Sequence, residues 1–291
     1  MMDERNARCR PRLLSVLLVA LVGCLALQTA RAEECGAARD FLAMDLGERQ
    51  TGHAQIVARA LELAYPGLAV DLDKGAVTTE AGASFPFVSA RGVTGKALLE
   101  DATLGDQFVY LYPLAFSLEE RKTPFFDPGR VRNEPFFRHL FFDSKGDARK
   151  SLVKISYKGK GVTASFVVTR KHCVDVQLKA ALSEIASYGA KMDRFFKKTG
   201  GGFSWRVIAG TNRLSSHSFG SAVDVNTDLG KYWKWTGAKE GQVGDYANEI
   251  PKELVGAMER RGFIWGGKWN HFDGMHFEYR PELILFARLK S

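Results

Sequence analysis

The sequence predicts an α+β fold built on a mostly antiparallel sheet with flanking helices, and three observations carry that expectation. Short runs at 203–208, 222–226 and 276–279 alternate apolar and polar residues with the period of a strand. Apolar residues recur at helical spacing around 56–64, 178–185 and 254–258. Strands and helices do not alternate regularly, as a parallel sheet with crossover helices would require. The 291 residues are 45% apolar and 25% charged, with 29 Gly and 9 Pro, which excludes wholesale disorder, a collagen and a multi-span membrane protein. One large domain or two medium ones fit this length, and either can bury a core.

Taken in order, residues 1–32 have the three parts of a secretory signal: Arg5, Arg8, Arg10 and Arg12, an apolar run over 13–27, and Ala30-Arg31-Ala32 before the expected cleavage. That run is shorter than the roughly twenty residues a stable membrane span needs. The exported form is therefore expected to be periplasmic or secreted, with lipidation at Cys24 as the alternative, since Leu21-Val22-Gly23-Cys24 resembles a lipoprotein box. Cleavage would remove five Arg and two acids and lower the formal charge from +8 to +5. This modest excess is spread along the chain, so an anionic wall or peptide suits it and nucleic acid does not. Cys35 and Cys173 would then remain, as a disulfide or as two thiols.

Residues 33–168 read as an N-terminal region without a recognisable reaction. Ile56, Val57, Ala60, Leu61 and Ala64 mark an amphipathic helix that Pro66-Gly67 stops, and 68–72 and 76–79 flank a turn at Asp73-Lys74-Gly75. The aromatic, Pro-broken stretch over 124–142 is expected to pack against a neighbour. From 169 the pattern sharpens into a second region ending at 291. Leu178, Leu182 and Ile185 share a helical face, and Gly200-Gly201-Gly202 is expected to end that unit before the strand at 203–208. Pro251 opens a helix carrying Leu254, Val255 and Met258, and 281–290 closes the chain as another.

Two clusters carry chemistry: Ser215-Ser216-His217-Ser218-Phe219-Gly220-Ser221-Ala222-Val223-Asp224, and Asp273-Gly274-Met275-His276-Phe277-Glu278. Zinc favours imidazole with carboxylate, and a catalytic site uses three protein ligands, leaving a position for water. His217, Asp224 and His276 supply that set, and two imidazoles argue against calcium or magnesium. Asp273 is then the free carboxylate for general acid–base work, with Glu278 orienting a ligand. Arg206 is the candidate partner of a developing oxyanion, with Arg213 competing. Trp233, Trp235, Trp265 and Trp269 would grip substrate near a cleft or pack in the core, and Trp265 is taken with Arg213 and Ser215 as a substrate contact.

The pattern Ser215-x-His217-x-x-Gly220-x-Ala222-x-Asp224, followed by Asp273-x-x-His276, resembles the D-alanyl-D-alanine carboxypeptidase (VanY-like) zinc peptidases, peptidase family M15. The stretches WRVIAGTNRLSSHSFG, IPKELV, GFIWGGKW and MHFEYRPEL are similar to theirs, and DPGRVRNEPFF at 127–137 looks like their preceding segment. The resemblance implies the fold of hedgehog and DD-peptidase domains, one zinc on His217, Asp224 and His276, Asp273 as base, and hydrolysis of peptidoglycan stem or cross-link peptides. Gly274 and Phe272 stand where a small polar residue and a tyrosine are expected beside the substrate cleft. A non-catalytic, zinc-stabilised peptidoglycan-binding module is the alternative function.

Overall fold

The structure is a computed structural model that describes residues 35–80 and 82–291. The chain divides into two units after Ala37, of which the second, Ala38–Ser291, is compact. The expected signal over 1–32, with Cys24, lies outside the described residues. Among the described residues no helix is long and apolar enough to cross a membrane.

The second unit is α+β with antiparallel sheets, as the sequence predicts. Helix α1 (His53–Ala64) buries Ile56, Val57, Ala60, Leu61 and Ala64, and Gly67, at φ 87°, turns the chain into β1 (Leu68–Asp71). The predicted hairpin continues through β2 (Ala76–Thr79), in register Leu68↔Thr79, and gains a strand that the sequence did not announce, β3 (Ser84–Pro86). Short helices follow: α2 (Gly95–Glu100), α3 (Glu134–Leu140) and α4 (Lys145–Lys150). Asn133 caps α3 by accepting from Phe136 N–H at 2.7 Å, so one helix of the aromatic stretch starts at a good capping residue.

A second hairpin, β4 (Leu152–Lys158) and β5 (Thr163–Thr169), packs its strand β4 against α5 (Val174–Ser187). The functional sheet comprises β6 (Thr199–Gly201), β7 (Ala222–Asn226), β8 (Phe263–Trp265) and β9 (His276–Tyr279), in the spatial order β6-β7-β9-β8 with every pair antiparallel. Helices α6 (Thr227–Gly230), α7 (Lys252–Arg260) and α8 (Pro281–Lys290) complete the unit.

One element is corrected. Residues 203–208 do not form a strand of the sheet; the edge strand is the glycine segment just before them. Gly200 and Gly201 run against β7 so closely that a Cβ at Gly200 would lie 2.7 Å from the Asp224 Cβ. Residues 204–208 instead bond to the loop that carries His217: Ser204 N–H donates to the His217 carbonyl at 3.1 Å, and Ser215 N–H to the Arg206 carbonyl at 3.0 Å. Only Val207 makes a strand-like bridge, to Leu214.

A single core runs across residue 168. It joins Leu61, Phe136 and Phe137 with Phe166, Leu178, Phe219, Phe277 and Leu283, and α1 packs along α8. Polar contacts reinforce this union: Tyr112 donates its hydroxyl to Glu259 and accepts from Trp265 N–H at 2.9 Å.

Candidate functional site

His217 sits on a single 3₁₀ turn, Ser216–Phe219, whose first residue follows the capping hydroxyl of Ser215. Gly220 ends the turn at φ 67°, a left-handed conformation suited to glycine. A Cβ there would also lie 2.8 Å from Thr169 N, because Thr169 N–H donates to the Gly220 carbonyl. Asp224 is the middle residue of β7 and lies directly opposite His276 in the β7–β9 register. Directly paired residues on one sheet face hold their side chains adjacent, so the ladder itself brings the carboxylate and the imidazole together.

Three donor atoms converge. His217 Nε2 and His276 Nδ1 lie 3.2 and 3.0 Å from Asp224 Oδ1, and 3.2 Å from each other. The opposite ring nitrogens have partners that fix the proton. His217 Nδ1–H donates to the Gly202 carbonyl at 2.7 Å, and His276 Nε2–H donates to Glu278 Oε2 at 3.1 Å. Each neutral ring thus aims a lone pair at the other and at the carboxylate, a repulsive arrangement unless a cation lies between. Tetrahedral ligands about 2.0–2.1 Å from a zinc ion would be separated by about 3.3 Å, close to the spacing seen. His217, Asp224 and His276 therefore form a group that could hold a metal ion.

The electrostatics agree. Burial raises the Asp224 carboxyl, but the adjacent His217 and His276 outweigh it and hold the group well below the ordinary carboxylate range. Burial lowers the His276 imidazole, yet hydrogen bonds to Asp224 and Glu278 push it up to about 10, so without a metal a proton takes the cationic role. Glu278 is held down at about 2 against burial by His276, Arg280 and Arg132. Asp273 behaves oppositely: burial, with Asp224 adding, raises it to about 6 against the pull of His276 and Arg130. Its Oδ1 is buried without a hydrogen-bond partner.

These groups open onto a cleft of about 310 Å³, lined also by Arg130, Arg132, Arg206, Tyr232, Trp235 and Trp269. Of the expected residues, Arg206 and Ser215 line it, the first exposed and the second buried. Two expected substrate contacts do not. Arg213 points its guanidinium at the Arg130 carbonyl (2.9 Å), and Trp265 is fully buried in β8 with its Nε1–H on the Gly274 carbonyl (2.9 Å) and its ring stacked on Phe116. His271 is buried away from the cleft, between Asp127 (2.6 Å) and Gly241 N–H (2.9 Å). Gly274 and Phe272 are also absent from the cleft wall. A Cβ at 274 would fall 1.9 Å from the Gly230 carbonyl oxygen, and Phe272 stacks on Tyr246 at 4.1 Å.

Sequence reasoning missed Arg130 and Arg132. Arg130 donates from Nε and Nη2 to the His271 carbonyl (3.3 and 3.0 Å) and lies over the Trp269 ring. Arg132 is buried against Phe137 and Phe219 and donates to the Leu214 carbonyl. Their only local signal was the DPGRVRNEPFF stretch, which gave no indication of which side chain faces the cleft.

Residues 209–279 match the family model described as D-alanyl-D-alanine carboxypeptidase. That segment belongs to the family. The matched residues contain His217, Asp224, Asp273 and His276, and the match supports a peptidase of the D-alanyl-D-alanine carboxypeptidase type. Arg130, Arg132 and Arg206 lie outside the matched D-alanyl-D-alanine carboxypeptidase segment. No curated protein and no solved structure matches the chain.

Proposed function

We propose that this chain is an exported zinc peptidase that hydrolyses an amide bond of peptidoglycan peptides, a terminal D-Ala-D-Ala bond or a related stem-peptide bond. The observation that carries the reading is the convergence of His217, Asp224 and His276 beside the unpartnered carboxylate of Asp273, all on one cleft. His217 through Nε2, His276 through Nδ1 and Asp224 would hold the ion. Zinc bound in this way supplies a Lewis acid and draws the pKa of water from near 16 toward about 7.

The chain's own residues do the rest. Asp273, on the cleft wall with its Oδ1 free of any hydrogen-bond partner, is the carboxylate that takes a proton from the attacking water. It returns that proton to the leaving amine as the C–N bond breaks. Arg206, exposed and on the cleft wall, meets the carbonyl oxygen as negative charge develops there. Arg130, fixed by Trp269 and the His271 carbonyl, presents a preset cation to an anionic group of the substrate.

Metal analysis combined with muropeptide digestion tests the reading. The expected result is one zinc per chain, new amine ends in the products, loss of turnover on chelation and its return with zinc, and no products from Asp273→Ala. Zinc uptake and binding to sacculi without new amine ends would instead favour the non-catalytic module.

A further inference from the structure

Behind the three donors runs a chain of buried charge. Glu278 accepts from His276 through Oε2 and from Arg280 Nη1 through Oε1, at 3.1 and 3.4 Å. Arg280 Nε donates to Glu282, whose other oxygen accepts the Tyr65 hydroxyl at 2.6 Å. Arg280 Nη1 also reaches the Gly129 carbonyl at 3.2 Å. Tyr65, Glu278, Arg280 and Glu282 are all almost completely buried. Ionised groups removed from water are costly, and apolar residues of similar volume often serve stability as well or better. A positional role explains why they are charged here.

The geometry points to Arg280 as a positioning residue for the metal ligand His276. By fixing the Glu278 carboxylate, it holds the imidazole with Nε2–H toward Glu278 and the Nδ1 lone pair toward Asp224 and His217. Glu278 has little freedom to answer otherwise. Gly129 leaves it no room on one side, since a Cβ there would lie 2.7 Å from Glu278 Oε1 and 2.2 Å from the Trp269 ring. The other nearby guanidinium, Arg132, spends its hydrogen bond on Leu214 and its face on two phenylalanines. Arg280 alone among the described residues bonds Glu278 while being tied on its far side to Glu282.

This inference rests on the zinc reading above and deepens it. Zinc affinity of the full chain is measured by competition with a chromophoric chelator, and the His276 Nε2–H resonance is followed by NMR in the zinc-loaded protein. Arg280→Met is expected to weaken zinc binding about 10- to 100-fold and to expose the Nε2–H proton to rapid exchange. Tyr65→Phe loosens the same buried cluster without touching Glu278. It is expected to keep affinity within about twofold of wild type and the resonance intact. Wild-type affinity and resonance in Arg280→Met overturn the role, as does an equal loss in Tyr65→Phe. If Arg280→Met does not fold, Arg280→Lys keeps the charge and loses the fork, and an unchanged affinity there overturns the role too. A wild-type chain that takes up no zinc overturns the zinc reading itself, before any variant is compared.

Discussion

At the scale of single residues, Asp273 combines two demands that oppose each other. Folding raises its pKa from 3.8 to about 6, so the stability this carboxyl contributes is complete below its unfolded pKa and has gone once the pH passes the folded one. Near pH 7 the metal-free protein therefore carries the cost of a buried anion. Asp273→Asn removes that anion. It is expected to raise the melting temperature of the chelated protein by roughly 2–5 °C while lowering kcat by about 10²- to 10⁴-fold, as read by calorimetry and muropeptide kinetics. The same group predicts an acid limb in the wild-type rate, as the base loses its proton, that is absent from the residual rate of the Asn variant. Trp265 takes the core position, the other of the two places open to it. Its Ala variant is predicted to lose about 3–5 kcal/mol of stability by denaturant unfolding, because the indole is a core side chain bonded to Gly274.

At the scale of elements, the strands that bear the donors were legible because the chemistry and the alternation coincide. Asp224 and His276 are polar residues set in apolar strands, and the antiparallel ladder makes them partners. Residues 203–208 alternate just as well, yet their backbone bonds go to the loop carrying His217, and a period of two cannot say which neighbour receives those bonds. The glycine run at 200–202 read as punctuation. Its real constraint, the close approach of β6 to β7, is tertiary and leaves no local mark. Hairpin β4–β5 likewise went unread, although Ala164, Phe166 and Val168 are buried alternately, because the adjoining Ser and Lys residues blur the pattern. Gly274 permits a direct test at this level. Restoring a small polar side chain by Gly274→Ser drives a Cβ onto the Gly230 carbonyl; a loss of about 1–3 kcal/mol is expected, measured as a lowered denaturation midpoint.

At the scale of the whole molecule, one hydrophobic core gathers side chains from both sides of residue 168. The motifs become more informative after that residue, while packing joins Leu61 and Phe137 to Phe219 and Leu283. A fragment of residues 169–291 is accordingly predicted to show no cooperative thermal transition by circular dichroism, since Tyr65, Tyr112 and Phe137 would leave their buried partners uncovered. A sharp transition in that fragment would contradict the shared core. The placement of Gly129, Arg130 and Arg132 on the cleft has its own consequence for engineering. Transplanting the matched stretch 209–279 into another scaffold would transfer His217, Asp224 and His276 but abandon the cationic half of the groove, so the recipient should inherit the three donors without the ability to choose a substrate.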